Sequence, residues 1–515
     1  MKSVLVLITL LLPLSLAQPT SSQNKSNSAA QIAYSDWLKL VTGTTCENRK
    51  TWGGKCAPEA VKIPDSSGKE LTLMCPGCLA SIKIRGNVVS GLLKVTEQNA
   101  TRDVAFRTTA TPGEIEAVAK KLNDYYSYRF FTRAARPRGL ATDGKGNLLV
   151  TDFGTGKNDG TVWKIALKDF DKQDQLFTSA DGVEFVSGLP SVKIDTTFQG
   201  TPIKSIVGLS SVRLDGSSLI AVTNRLVSHD AKDPMAGLHD TPVASLLRVG
   251  LNSGHAAHAS APPKHALQPG QPDQSKPFTL LASLWHFEDW FNPDQKDKEC
   301  DPFDLAVKGD FAYATDAGAN DLLRINLKSG GESLRRANLY AVFKQLPNPL
   351  YDPKQATSFQ NRPERDPVPS GITFGPDGAL YVALMAGFPF PQGHSVIVRL
   401  EDKNHSGDAL DAGEETTVVD GLTCAVGVTF DAKGTMYTSE YSLNFMKNAP
   451  GRICQIRDGK CAVTLTDKVI SPTSILVIGN YIYFSQEFIG LVGRLPLPKA
   501  TPVAGRMSGK SKAKG

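Results

Sequence analysis

The chain has 515 residues, and its 57 lysines and arginines against 51 aspartates and glutamates give a formal net charge of +6. Basic residues cluster only in the tail, residues 499–515, so the pattern argues against nucleic-acid binding and predicts a solvated, disordered end. Beyond the first residues, no charge-free apolar stretch is long enough to cross a bilayer, so we expect no membrane anchor. Length does not settle the number of domains, because propellers and barrels are large single domains.

Residues 1–17 are typical of a cleavable signal peptide. Lys2 precedes an apolar run over residues 4–16, and the small residues Ser15 and Ala17 precede Gln18. The run is shorter than the about 20 residues that a transmembrane helix needs. We therefore expect a secreted, extracellular protein, with a buried N-terminal helix as the structural alternative.

Residues 18–128 are predicted to form a small cysteine-containing module with one short amphipathic helix at about residues 115–122. An even number of cysteines behind an export signal predicts disulfides. As an alternative, the C-x-x-C pair Cys75 and Cys78 would be a reactive or zinc-binding thiol pair. The disulfide candidates are Cys46, Cys56, Cys75, Cys78, Cys300, Cys424, Cys454 and Cys461, and the glycosylation candidates are Asn24, Asn99 and Asn404.

From residue 129 to residue 498 one pattern recurs six times. It consists of a short apolar strand, a glycine- or aspartate-containing turn, a second strand rich in Leu, Val and Tyr, and a polar residue. A third strand ending in a basic and an apolar residue follows most copies, and a fourth is expected outside it. The copies begin at Arg136, Ser210, Pro302, Pro369, Val426 and Thr473.

Four short strands repeated six times predict an all-β fold, a six-bladed β-propeller over residues 129–498. A β-sandwich is the alternative, but it would not require the same signature in every copy. We expect a strand from one end of the chain to complete the sheet at the other end. Two stretches interrupt the ring: a disordered insert at about residues 252–277, and a long loop over residues 345–366.

Aligned on their second strands, the copies bring one position into register. We call these six residues the collar: Asp152, Asn224, Asp316, Leu384, Glu440 and Gln486. Equivalent positions of a propeller surround its axis, so we expect a polar, net acidic ring at one end of the channel. It would hold a ligand, with Asp152, Asp316 and Glu440 as the candidates if a metal ion is bound. The alternative is that these side chains only hydrogen-bond the blade turns.

Further candidate residues lie beside the collar. Arg136 and Arg138 precede the first strand, and with Asp304 they would form an axial ion pair or an anion site. Leu384 is followed by an apolar loop in which Phe388 and Phe390 would wall a ligand site or pack on the next blade. No nucleophile elbow, metalloprotease helix, P-loop or dinucleotide fingerprint occurs.

The repeats resemble the ScyD/ScyE family of secreted propellers, within the wider NHL and SMP-30-like propellers. The resemblance spans residues 130–497. It rests on the R-P-R-G-L-A sequence from Arg136, the A-G-A-N-D sequence that includes Asn320, and the G-F-P-F-P sequence from Gly387. It implies six blades and export, with no settled catalytic residues. SMP-30-like lactonases hold an axial cation on a Glu that opens the first blade; Arg136 stands there, so that site is not expected.

Two functions from different classes follow. The first is a secreted binding or scaffold propeller that holds a small-molecule, glycan or protein ligand on one face, through Arg138, Asn320, the collar and the aromatic loop. The alternative is a hydrolase or lyase with an acidic or metal-bearing axial site. Whether the protein is an enzyme stays open. No cofactor is expected, with Ca²⁺ or Mg²⁺ as the divalent cation that an acidic channel would bind.

Overall fold

The computed structural model describes residues 136–171, 182–194, 206–224, 242–251, 277–328, 336–356, 361–447, 449–487 and 491–498, and the backbone of strands outside them. Six of those strands pair in one N-terminal sheet: β1 (Ala30–Gln31), β2 (Val61–Pro64), β3 (Glu70–Leu73), β4 (Leu79–Arg85), β5 (Val88–Glu97) and β6 (Ala100–Thr109). The helix predicted at residues 115–122, the signal peptide, the insert at 252–277 and the tail lie outside the described residues.

Six sheets follow, built almost entirely from antiparallel strand pairs, and each is one blade. Blade 1 contains β8 (Pro137–Thr142), β9 (Asn147–Asp152), β10 (Gly160–Ala166) and β12 (Val183–Leu189). Blade 2 contains β14 (Thr201–Asp215), β15 (Ser218–Thr223), β17 (Ser245–Gly250) and β18 (Phe278–Ser283), and β13 (Ser191–Phe198) pairs with the first half of β14. Blade 3 contains β20 (Pro302–Lys308), β21 (Phe311–Asp316), β22 (Asp321–Asn326) and β23 (Ala337–Val342).

The second half of the ring has the same order. Blade 4 contains β26 (Pro369–Phe374), β27 (Leu380–Leu384), β28 (Ser395–Leu400) and β29 (Glu415–Leu422). Blade 5 contains β30 (Ala425–Phe430), β31 (Met436–Glu440), β32 (Gly451–Arg457) and β33 (Lys460–Val469). Blade 6 contains β34 (Pro472–Ile478), β35 (Tyr481–Gln486) and β36 (Leu491–Pro496), joined by β7 (Arg129–Phe131) and β11 (Phe177–Thr178).

The ring closes by pairing strands from its two ends. β7, which precedes blade 1, pairs antiparallel with β36, so Phe131 lies opposite Val492. The innermost strand of each blade contacts that of the next, and β34 of blade 6 contacts β8 of blade 1. The six-bladed β-propeller predicted from the repeats is therefore confirmed, and the N-terminal segment supplies the closing strand.

Short connections and one helix complete the described part. The helix α1 (Leu284–Phe291) links blade 2 to blade 3, and Ser283 caps its first turn by accepting the N–H of His286. Two short ladders flank this face: β16 (Val227–Ser228) with β19 (Glu299–Cys300), and β24 (Leu346–Pro347) with β25 (Glu364–Arg365). Turns of 3-10 helix occur at Leu167–Asp171 and Phe445–Lys447. None of the helices in the described ranges is long and apolar enough to cross a membrane.

The hydrophobic core is divided into layers between neighbouring blades. Leu322 of blade 3 packs with Val382 of blade 4, for example, and Val150 of blade 1 packs with Tyr483 of blade 6. The first strands approach so closely that a Cβ on Gly371 would lie 2.4 Å from the carbonyl oxygen of Val426. This contact explains why glycine recurs in the first strand of several copies.

Hydroxyl groups join adjacent blades near the axis. The residue before the collar position donates to a carbonyl of the next first strand: Thr151 Oγ1 to Ser210 O at 2.9 Å, and Thr315 Oγ1 to Ser370 O at 2.6 Å. Ser485 makes the same contact with Arg138 across the closure. Because antiparallel neighbours alternate direction, first strands begin and second strands end on one face of the ring. We call it the collar face; α1, the aromatic loop and the loop 345–366 all lie there.

Candidate functional site

The collar residues are all buried at the ends of the second strands. Five of them accept a backbone N–H from the first strand of the same blade or from the connection that leads into it. The pairs are Arg136 N to Asp152 Oδ1 at 3.0 Å, Gly208 N to Asn224 Oδ1 at 2.9 Å, Asp301 N to Asp316 Oδ1 at 2.7 Å, Thr423 N to Glu440 Oε1 at 2.7 Å and Ile470 N to Gln486 Oε1 at 2.6 Å. Each side chain thus fixes the point where its blade meets the axis.

Leu384 has no polar atom for this contact, and blade 4 uses its backbone instead: Met385 N donates to Val368 O at 3.1 Å. The polar pattern of the collar therefore follows a structural need. Whether the collar also contacts a ligand stays a prediction.

The three collar carboxylates do not meet as a metal site. Glu440 also accepts from Arg452, and Asp316 accepts further from the N–H groups of Gly318 and Ala319. Within the part of the chain that the structure describes, only Glu440, Cys454 and Cys461 place three ligand atoms within 4.8 Å of one another. The expected combination with Asp152 and Asp316 is thus not assembled, because each carboxylate is held in its own blade.

A different group surrounds the axis, and we call it the axial cluster: Arg138, Asn224, Asp301, Gln486 and Glu487. These residues are buried and come from four parts of the ring. Four of their polar atoms make no hydrogen bond of normal geometry, namely Arg138 Nε, Asn224 Nδ2, Asp301 Oδ1 and Gln486 Nε2, although the side chain of Asn224 lies against Asp301 and lowers its pKa. Asn224 and Gln486 therefore use only their oxygens to hold the connections. Unpaired buried atoms are uncommon in native proteins and call for a ligand, an ion or water.

Arg138 is the central cation of this cluster. Its guanidinium lies 4.4 Å from the ring centroid of Phe303 and 5.2 Å from that of Phe153. Its Nη1 lies 4.0 Å from Glu487 Oε2, and Arg136 binds the other oxygen of Glu487. The expected partner Asp304 is instead bound by Arg213 at 3.0 Å, so the arginine pair at the axis is formed with Glu487.

Asp301 is a carboxyl group of the axial cluster, and its pKa is raised. Burial raises the pKa of Asp301 to about 8, although the charge of Arg138 opposes the shift, and Asp316 and Glu487 add to it. The side chain therefore exchanges a proton near neutral pH. A carboxyl group with a pKa of about 8 beside a fixed guanidinium is suited to bind a polar ligand and to act as a general acid or base.

A second acidic group lies between blades 2 and 3. Glu288 of α1 and Asp321 of β22 are each 1% exposed, and no oxygen of either makes a hydrogen bond of normal geometry. Burial raises the pKa of Glu288 to about 9, with Asp316 and Asp294 adding to the shift. Burial likewise raises the pKa of Asp321 well above its usual range. At pH 7 Glu288 is therefore a neutral acid, and the charged form of Asp321 is disfavoured.

Asn320 and the aromatic loop lie at the rim of this region. Asn320 Nδ2 donates to Asp294 Oδ2 at 2.9 Å. Phe388 and Phe390 are buried, and Phe390 packs against Phe445 of the blade 5 loop with ring centroids 4.3 Å apart. The loop therefore covers the neighbouring blade, the second of the two roles predicted for it.

Exposed apolar side chains concentrate on the collar face. Trp290 and Phe291 at the end of α1 are 70% and 59% exposed. Leu350 and Met446, on other connections of the same face, are 60% and 55% exposed. Since such side chains are usual at contact surfaces, this face is the better candidate for binding.

No disulfide joins any two of the four described cysteines, and the disulfide expectation stays a prediction. Cys300 is buried and donates to Asp316 Oδ2 at 2.7 Å, and Cys424 is buried among the aromatic side chains near Phe388. Cys454 and Cys461 are neighbours. The exposed Asn404 is among the described residues, whereas Asn24, Asn99, Cys46, Cys56, Cys75 and Cys78 lie outside them.

Sequence reasoning missed Asp301, Glu487, Glu288 and Asp321. Glu487 directly follows a collar position and Asp301 directly precedes a first strand, so the blade register contained a signal for both. Glu288 gives no such signal, because it lies on a helix that belongs to no repeat.

No family model matches this chain, and no curated protein matches its sequence. Solved structures with a similar backbone trace include a gluconolactonase from Xanthomonas campestris. It has 12% identity and a TM-score of 0.38, over 72% of this chain and 90% of that one. A virginiamycin B lyase from Staphylococcus aureus with quinupristin has 15% identity and a TM-score of 0.37, over 72% and 98%. A PQQ-bound aldose sugar dehydrogenase from Streptomyces coelicolor has 10% identity and a TM-score of 0.35, over 71% of this chain and 95% of that one. The fold assignment rests on the strand pairing of the chain itself.

Proposed function

We propose that this chain is a secreted β-propeller that binds a small polar molecule in the axial cluster on its collar face. The supporting observation is a set of buried polar side chains from different blades: Asp301 interacts with Arg138 and Asn224, and Arg138 Nε, Asn224 Nδ2 and Gln486 Nε2 make no hydrogen bond of normal geometry. A ligand with hydroxyl, carbonyl or carboxylate oxygens would accept from these three donors. The rings of Phe153 and Phe303 would enclose its apolar parts.

Membership of the ScyD/ScyE family is part of the same proposal. It is supported by the sequences around Asn320 and Phe388, both of which lie on the collar face. Binding is proposed to need no cofactor, and a divalent cation such as Ca²⁺ or Mg²⁺ stays the alternative. A protein or glycan partner would instead contact the exposed rim at Trp290 and Phe291.

Thermal unfolding with a panel of neutral sugars, sugar acids and zwitterionic amino acids tests the proposal. We expect one class to raise the melting temperature of the wild type, and to lose this effect in Asn224→Ala and Asp301→Asn. Lys328→Ala, on the opposite face of blade 3, is the matched control and should keep the effect. A panel without any shift, or a shift that both axial variants retain, would contradict binding in the axial cluster.

The second candidate function is acid–base catalysis by Asp301, favoured by its pKa of about 8 beside Arg138. If Asp301 is the catalytic acid or base, the rate at which the bound compound is turned over changes as the pH passes through about 8. The variant Asp301→Asn should then show no turnover. Binding without turnover would leave the first proposal standing and exclude this one.

A further inference from the structure

A pair of thiols in blade 5 lies apart from the axial cluster. Cys454 of β32 and Cys461 of the outer strand β33 are separated by a tight hairpin turn, and their sulfur atoms lie within 4.8 Å of each other. Cys454 is fully buried, whereas Cys461 is partly accessible to solvent. The pair therefore has one sulfur that a reagent can reach and one that it cannot.

The charges around the pair differ for the two sulfurs. Contact with Cys454 lowers the pKa of the Cys461 thiol, and the charge of Arg452 lowers it further. The same contact, together with burial, raises the pKa of Cys454. Cys461 is thus the sulfur that ionises first, and thiolates are the reactive form of cysteine.

A metal ion is the competing occupant, since Glu440 completes a group of three ligand atoms. However, Glu440 Oε1 accepts the N–H of Thr423 at 2.7 Å, and Oε2 is bound by Arg452. A cation at this place would face the fixed positive charge of Arg452. The arrangement therefore favours sulfur chemistry over metal binding.

We propose that Cys461 and Cys454 form a reversible dithiol–disulfide pair that exchanges with small disulfides such as oxidised glutathione. The Cys461 thiolate attacks one glutathione sulfur, breaks the glutathione disulfide and releases one glutathione thiolate. Cys454 then gives up its proton to the glutathione thiolate that was released first and attacks the sulfur of Cys461. The internal disulfide forms, the bond between Cys461 and glutathione breaks, and the second glutathione leaves as a thiolate that takes a proton from water. The two protein thiols are oxidised and one glutathione disulfide is reduced to two thiols, so that the excess of reduced glutathione reverses the reaction.

The other described cysteines do not meet these requirements. Cys300 donates to Asp316 and is buried, and burial raises the pKa of Cys424. Both are internal controls, because they share the chain and the reagent but have buried side chains. We expect Cys461 to react with a maleimide more than about tenfold faster than Cys424.

Peptide mapping of the full chain after equilibration with oxidised glutathione tests the pair. Trypsin cleaves after Arg452, Arg457, Lys460 and Lys468, so the two cysteines fall on different peptides, residues 453–457 and 461–468. We expect these peptides to be linked in the wild type, with the link removed by excess reduced glutathione. In Cys454→Ser we expect glutathione to remain attached to Cys461, and in Cys461→Ser we expect Cys454 to stay unmodified.

Three results would overturn the proposal: no linked peptide in the wild type, equal glutathione attachment in both variants, or one stoichiometric zinc ion that blocks oxidation. The wild-type experiment decides by itself if a variant fails to fold. None of these readouts depends on a ligand at the axis, so the pair and the proposed function succeed or fail separately.

Discussion

Arg138 of the first blade and Glu487 of the last meet at the closure of the ring, with Nη1 4.0 Å from Oε2. Both side chains are almost completely buried, at 3% and 2% exposure. The pair therefore has two consequences: it holds the ends of the ring together, and it places a guanidinium at the axis.

Glu487→Gln should destabilise the protein by about 3 kcal/mol, because it leaves Arg136 and Arg138 without a buried counter-charge. Urea unfolding measures the change. Asp310→Asn removes an exposed partner of Lys328 and is the matched control, expected to change stability by less than about 0.5 kcal/mol. Equal effects of the two variants would show that the Glu487 pair does not stabilise the closure.

Gly371→Ala should cost about 1–3 kcal/mol, because its Cβ would lie 2.4 Å from the backbone of blade 5 and force the two first strands apart. Gly250→Ala, at the end of the third strand of blade 2, is the control, since nothing lies within 4 Å of its Cβ. We expect that variant to unfold at nearly the wild-type denaturant concentration. If Gly371→Ala behaves likewise, the close packing of first strands is not required.

Gln486→Leu copies the residue that blade 4 has at the collar and leaves the N–H of Ile470 without its partner. The expected loss of unfolding free energy is about 1–3 kcal/mol. Gln486→Glu keeps an accepting oxygen and should recover part of this loss. A stable Leu variant together with a destabilised Glu variant would contradict the structural role of the collar.

The architecture was predictable because the repeat recurs in every blade and each strand needs the same apolar face. The collar was predictable by register, but the reason for its polarity was not, since the partners are backbone N–H groups such as that of Asp301. The axial cluster was only partly predictable. Arg138 was a candidate residue before the first strand, whereas Glu487 comes next to it only when the ring closes, about 350 residues later.

Stability should fall as pH rises from about 5 to 9. Burial raises the pKa of Asp301 to about 8 and that of Glu288 to about 9, so the folded chain keeps protons that the unfolded chain has already released. Each group then changes the unfolding free energy by up to about −1.4 kcal/mol per pH unit. Glu288→Gln should flatten the profile, and the measurement is urea unfolding across this pH range.

The dependence of unfolding free energy on pH also distinguishes protonation of these carboxyl groups from binding of a metal ion. If Glu288 and Asp321 are neutral acids, added Ca²⁺ should not restore stability at pH 9. Full rescue by Ca²⁺ in the wild type, absent in Glu288→Gln, would instead show that these carboxylates bind the cation.

The most direct test of ligand binding at the axis is a high-resolution crystal structure of the protein grown with the compound that raises its melting temperature. We predict density for that compound within hydrogen-bonding distance of at least two of Arg138 Nε, Asn224 Nδ2 and Gln486 Nε2. The compound bound elsewhere on the ring, with these atoms paired to protein groups, would contradict the account.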